Sequence, residues 1–296
     1  MGQNRHDSLL DAVRGIAAQA VVIGHASSAV LGESPLNTVL GWASYTAVLV
    51  FFVLSGYVIC GSVLREYRVT GSVDTVDFAI RRIARIMPPY LATLALVGLF
   101  FTMTEIGREM SARYDLSLLG FVRSVFFGFT SHDAVVLTPV WSLRLEVVLY
   151  GMIALAAAAF AAEGNWRTVW CFALGLIVTF GMLRLAFMPT AIITFALGGL
   201  MAWARPNRSA ALLSAGPMTS ALAALGAFSY TLYLIHMPVI LCVSSGLAGQ
   251  NRVLIYFVAV LSSSAAAFLV ARVVERPKTF ADLIRRRLAV LRPQVS

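Results

Sequence analysis

Charge is scarce in this sequence. Of its 296 residues only 12% are Asp, Glu, Lys or Arg, against roughly 25% in a soluble domain, while 59% are hydrophobic. No long polar stretch separates the apolar blocks, which excludes a sizeable soluble domain and favours a single unit over 1–296. Cysteine is nearly absent: Cys60, Cys171 and Cys242 lie far apart inside apolar blocks. An odd number at that spacing excludes a disulfide framework and a cysteine metal cluster, so they read as small buried hydrophobes. Familiar catalytic signatures are missing too. There is no Gly-x-Ser-x-Gly elbow, no glycine-rich phosphate loop and no His-Glu-x-x-His pair.

What the chain has instead is apolar blocks near the length that crosses a ~30 Å hydrocarbon core. They fall at 9–31, 38–63, 87–104, 137–162, 168–187, 190–204, 226–247 and 253–274. Two weaker segments, 115–130 with Arg123 and 209–225 with Pro217, are short spans, re-entrant pieces or interfacial helices. The expected fold is therefore an all-α, polytopic membrane bundle of eight to ten transmembrane helices, with a core over 9–277.

The net charge of +9 does not point to nucleic acid, because its positions follow the orientation signal of a membrane protein. Segment 64–86 carries Arg65, Arg68, Arg81, Arg82 and Arg85 and reads as a cytoplasmic loop. The preceding loop, 32–37, has Glu33 and no basic residue. Residues 278–296 read as a basic cytoplasmic tail, with Lys278, Arg285, Arg286, Arg287 and Arg292. Both termini are expected in the cytoplasm, which requires an even number of spans.

Ionisable groups at membrane depth are costly and mark functional candidates. Arg14 and His25 are eleven residues apart, three helical turns, and so share one stripe about 16 Å long. That pair suits an anionic or polar ligand at one end and proton chemistry at the other. The plainer alternative pairs Arg14 with Asp11 and leaves His25 a hydrogen-bonded core residue. Glu146, seven residues into its block, needs a partner, for which His25 or an arginine is expected. Arg81, Arg82 and Arg85 precede Pro88, Pro89 and Tyr90. They read as a positive-inside anchor or as a guanidinium cluster for phosphates. His236 lies mid-block in Phe228-Ser-Tyr-Thr-Leu-Tyr-Leu-Ile-His236, where packing or support of a neighbour is expected before direct chemistry. His132, in a loop, carries no argument alone.

Six segments, in order, resemble the membrane-bound acyltransferase family 3. They are Leu10-Asp-Ala-Val-Arg14-Gly-Ile-Ala with His25, Phe51-Phe-Val-Leu-Ser-Gly-Tyr57, and Arg81-Arg-Ile-Ala-Arg85 with Pro88 and Tyr90. Trp141-Ser-Leu with Glu146 and Tyr150, the block ending at His236, and Glu275-Arg-Pro277 follow. Members of that family O-acylate surface polysaccharides, O-antigens and related glycans. The resemblance implies acyl-CoA, chiefly acetyl-CoA, as a donor substrate rather than a bound cofactor, with no metal. Its other partners would be a carbohydrate or glycolipid acceptor and membrane lipid, with a bacterial inner membrane as the location. It also implies roles. Arg14, Arg82, Arg85 and Tyr90 would bind the donor; His25 would act as general base or transient acyl carrier. Glu146 would orient the imidazole as a triad carboxylate does. Trp141, Tyr230 and His236 would face substrate. Family members are usually longer, with ten spans, so this chain looks trimmed between residues 160 and 225. A hydrolase-like C-terminal domain of the kind fused to some members is not expected here, so the acyl group is expected to be transferred without one. A proton-coupled or glycolipid transporter is the rival reading, since buried His and Glu serve carriers as well. No repeat of two related halves supports it.

Overall fold

Apolar runs of this length fold as helices, because inside lipid every backbone N–H and C=O must find its partner within the segment. A computed structural model describes residues 8–103, 117–126, 140–185, 187–204 and 217–291, and in them the chain is helical with no strand. The helices are α1 (Ser8–Val30), α2 (Pro35–Thr70), α3 (Thr75–Met103), α4 (Leu118–Val125), α5 (Val140–Ala161) and α6 (Asn165–Arg184). They continue as α7 (Met188–Ala204), α8 (Pro217–Gly226), α9 (Ser229–Gly246), α10 (Arg252–Val274) and α11 (Pro277–Leu291). Seven are long and apolar enough to cross a membrane; α7, also apolar, has 17 residues. Each of the eight apolar blocks has become a helix. Within the weaker segments the described helices are short: α4 has 8 residues and α8 has 10, about 12 and 15 Å. Pro217 is the first described residue of α8, and residues 209–216 of that segment lie outside the described residues.

Helix α1 is the centre of the bundle and packs against α2, α8, α9 and α10. Its buried positions are mostly small, among them Gly15, Ala17, Ala18, Gly24 and Ala26, which lets neighbouring backbones approach closely. The tightest approach joins α2 to α7. A Cβ at Gly56 would lie 1.9 Å from the carbonyl oxygen of Phe195, and one at Gly198 would lie 2.0 Å from that of Val53. Only glycine fits at either position. The outward faces expose large apolar side chains such as Phe160, Leu183, Leu261 and Val273, as a lipid-facing surface does.

Two expectations change at the arginine-rich end of the bundle. Segment 64–86 is not a loop. Helix α2 continues to Thr70, Gly71 closes it in the left-handed conformation with φ 73°, and α3 already begins at Thr75. The short connection is held by Arg81, which pairs with Asp77 one turn earlier and with Glu66 at 3.0 Å across the turn. Pro88 and Pro89 consequently lie inside α3 and do not open a helix.

Residues 278–291 are likewise not a free tail. They continue α11, which lays Ala281 on Ile80 and Ala84 of α3, with Phe280 and Ile284 packed beside them. Arg285 reaches Asp77 at 2.7 Å and Asp282 at 2.8 Å. Apolar residues at i, i+3 and i+4 with charges on the other face give this segment the period of a surface helix, which its charge count alone conceals. Arg292 lies outside the described residues.

Candidate active site

Five helices, α1, α2, α3, α5 and α9, converge on a cavity of about 570 Å³ at the arginine-rich end, and α11 closes one side of it. Its outer wall is basic, with Arg14, Arg81, Arg82, Arg85, Lys278 and Arg285. Its inner wall is aromatic and weakly polar, with Phe51, Ser55, Ser142, Tyr150, Tyr230 and Tyr233, and carries Glu146.

The basic residues are not equivalent. Arg14 pairs with Asp11 at 2.8 Å, one helical turn away, and still faces the cavity. Arg85 lies 3.7 Å from Glu275 and has its guanidinium 5.8 Å from the centre of the Tyr230 ring. Glu275 in turn accepts the backbone N–H of Thr231 at 2.8 Å, so its carboxylate satisfies the first turn of α9, where the helix dipole favours negative charge. Arg82 differs from both. Its guanidinium lies 5.5 Å from the Phe78 ring and 5.7 Å from the Tyr150 ring, and its buried Nε has no hydrogen-bond partner. Among the described residues no carboxylate pairs with it.

Glu146 accepts hydrogen bonds from Ser55 at 3.1 Å and from the phenol of Tyr150. Of the two partners expected, the arginines share its cavity, while among the described residues no hydrogen bond or ion pair joins it to His25. The reason lies in register. Tyr150 is one turn along the same helix and Ser55 faces α5 from α2, so the carboxylate is held toward the arginine-rich end. His25 meets His236 instead: His25 Nδ1 and His236 Nε2 are 2.8 Å apart. The two rings are parallel within 3° with centroids 5.0 Å apart. Face-to-face rings cannot bring nitrogens nearer than ~3.5 Å, so these imidazoles lie edge to edge in one plane.

The histidine pair stands just beyond the inner end of the cavity. Tyr233, in the cavity wall, has its ring 5.9 Å from that of His236, and its hydroxyl bonds that of Ser142 at 2.6 Å. His236 is fully buried and its ring nitrogens face His25 and the carbonyls of Tyr233 and Leu232. It is a neighbour of His25 and does not line the cavity. Two further expected residues lie off the cavity. Tyr90 is fully buried and outside it; its phenol donates to the carbonyl of Ser124 and fastens α4 to α3. Trp141 also lies outside the cavity, packed 5.6 Å from the Phe187 ring at the opposite end of the bundle. Tyr230 does line the cavity, and its hydroxyl donates to the carbonyl of Ile86 at 3.3 Å. His132 lies outside the described residues.

Ser55, Tyr150, Tyr233 and Glu275 complete the site. The sequence held them inside the motif segments, but motif membership did not say which side chains meet.

The order of these segments and the cavity they build coincide with a match to one family. Residues 7–215 match the acyltransferase family 3 model, described as an acyltransferase domain. The chain belongs to the acyltransferase 3 family. A Staphylococcus aureus (strain COL) protein named "Putative O-acetyltransferase SACOL0978" is 28% identical over 148 residues, which is 48% of this chain and 23% of that protein. "Protein 2 in picA locus" of Rhizobium radiobacter is 38% identical over 96 residues, 31% of this chain and 44% of that one. The matched segment thus spans less than half the length of either relative. No solved structure matches the chain significantly. The family's model is described as an acyltransferase domain, and the chain's seven long apolar helices make it an integral membrane protein.

Proposed function

We propose that this acyltransferase moves an acetyl group from acetyl-CoA to a hydroxyl of a carbohydrate or glycolipid acceptor at a bacterial inner membrane. The observation that carries the donor half is Arg82. A half-buried guanidinium whose buried Nε is unpartnered, in the wall of a cavity rimmed by five more cations, is short of an anion. Phosphates accept from such a fork in bidentate fashion. The volume, about 570 Å³, falls within the roughly 300–1,000 Å³ of small-molecule and cofactor sites. In this reading Arg14, Arg82 and Arg85 hold the phosphates of CoA, and the pantetheine arm runs along Tyr230 and Tyr233 toward the histidines.

His25 then takes the proton of the acceptor hydroxyl. The oxygen attacks the thioester carbonyl, the C–O ester bond forms, the C–S bond breaks, and the thiolate of CoA leaves with a proton. General-base assistance of this kind contributes about 10²–10⁴ in rate. Glu146 is the counter-charge of the arginine wall rather than the orienting group of the base. The acetyl assignment follows the name of the Staphylococcus aureus relative.

The test is chemical. Cells that express the chain should carry base-labile O-acetyl groups on surface glycans, measured by mass spectrometry, and cells expressing His25→Ala should not. Equal O-acetylation in both, or solute flux through proteoliposomes without acyl-CoA, would overturn the proposal.

A further inference from the structure

Resting on the reading of His25 as base, we infer that His236 is the positioning residue that fixes which nitrogen of His25 is basic. The assignment follows from donors and acceptors. The carbonyl oxygen of Tyr233 lies 2.8 Å from His236 Nδ1, with that of Leu232 at 3.2 Å. A carbonyl only accepts, so the proton sits on His236 Nδ1. A neutral imidazole has one N–H, and His236 Nε2 is therefore a bare lone pair. Its neighbour at 2.8 Å is His25 Nδ1, which must then donate to it. In the neutral pair that leaves Nε2 of His25 unprotonated, and Nε2 is the nitrogen that takes the acceptor's proton.

The opposite arrangement would put protons on both nitrogens of His236. That places a cation at a side chain with 0% exposure and, among the described residues, no carboxylate partner, which is strongly unfavourable. The coplanar, edge-to-edge geometry also holds the His25 ring at a fixed angle, as an in-plane N–H···N bond requires. A hydrolase triad gives this orienting task to a carboxylate. Here the carboxylate is engaged with Ser55 and Tyr150, and a backbone carbonyl sets the chain of protons through His236. When His25 becomes protonated at Nε2, its Nδ1 proton still points at a lone pair, so the cation forms without rearrangement.

The test compares His236→Gln with His236→Phe in purified protein in detergent, with acetyl-CoA as donor. A glutamine carbonyl oxygen can stand where Nε2 stands and accept from His25; phenylalanine cannot. His236→Gln should keep kcat within about tenfold of wild type and His236→Phe should lose about a hundredfold or more, with KM for acetyl-CoA unchanged in both. Nitrogen-15 NMR of histidine-labelled protein, with the His25 signals assigned by difference against His25→Ala, should show the Nδ1–H tautomer in wild type and His236→Gln, and lose it in His236→Phe. Equal kcat in the two variants, or a His25 tautomer that ignores His236→Phe, overturns the assignment. If His25→Ala itself turns over normally, the base reading fails, and the NMR arm still decides what His236 does.

Discussion

The guanidinium of Arg82 lies 5.7 Å from the centre of the Tyr150 ring, and the phenol of Tyr150 donates to Glu146 one turn earlier on the same helix. This relationship fixes the division of labour in the cavity. The carboxylate is tied, through Tyr150 and Ser55, to the arginine-rich end, and Arg82 in the same wall keeps its Nε–H unspent.

Arg82 is therefore expected to matter more for donor affinity than Arg81, whose charge is already shared with Asp77 and Glu66. A hydrogen bond to a charged group is worth about 1.5–3 kcal/mol, so Arg82→Ala should weaken acetyl-CoA binding about ten- to hundredfold. Arg82→Lys should recover part of the loss, since an ammonium keeps the charge without the fork. Isothermal titration in detergent reads both; unchanged affinity in Arg82→Ala would remove the proposed phosphate contact.

Stability coupling separates the partners of Glu146 from its non-partners. Glu146→Gln and Ser55→Ala should couple by about 0.5–1.5 kcal/mol in a double-mutant cycle on unfolding in detergent, because the two side chains bond directly at 3.1 Å. Glu146→Gln and His25→Ala should add within about 0.5 kcal/mol, because they do not touch. Strong coupling of the second pair would restore the triad-like arrangement.

Helix α11 should behave as part of the cavity wall. Ala281 is 4% exposed against Ile80 and Ala84, so Ala281→Glu buries an unpaired carboxylate and should detach the helix. Limited proteolysis would then cut within 277–291 at sites protected in wild type, and donor affinity would fall. Arg285→Ala, which removes two exposed ion pairs, should cost no more than about 1 kcal/mol and leave the protection intact. Equal protection of wild type and Ala281→Glu would contradict the packing described for this helix.

The crossing of α2 and α7 tolerates no side chain at Gly56 or Gly198, whose added Cβ would strike backbone rather than a movable side chain. Gly56→Val and Gly198→Val should each abolish a monodisperse peak in size-exclusion chromatography, whereas Gly61→Ala, with 3.5 Å to its nearest neighbour, should not. Well-behaved Gly56→Val protein would mean the helices are not so close.

Much of this was legible before the fold was in hand, and the failures have physical causes. The eight apolar blocks became helices because lipid leaves their backbones no alternative. The arginines of 81–85 and Arg14 meet in one cavity, as their common end of the bundle required. Segment 64–86 was misread because charge marks where a chain leaves the membrane and says nothing about where a helix stops; α2 and α3 run on past that level. The segment after Pro277 was misread for a similar reason, since its arginines hide the apolar face of α11. Glu146 and His25 looked like partners because two ionisable groups in one membrane invite pairing. Which of them meet depends on the rotation of α5 and α9, and no single-helix period encodes that. Tyr90 and Trp141 sit in motif segments yet pack away from the cavity, a placement that a motif does not distinguish from lining it.

The measurement closest to the central claim is release of CoA from acetyl-CoA by the purified protein, followed for wild type, His25→Ala and Arg82→Ala. The account predicts turnover in wild type, none in His25→Ala despite near-normal acetyl-CoA binding, and a raised KM with largely preserved kcat in Arg82→Ala. CoA release by folded His25→Ala at the wild-type rate, or no binding of any acyl-CoA to wild type, would contradict it.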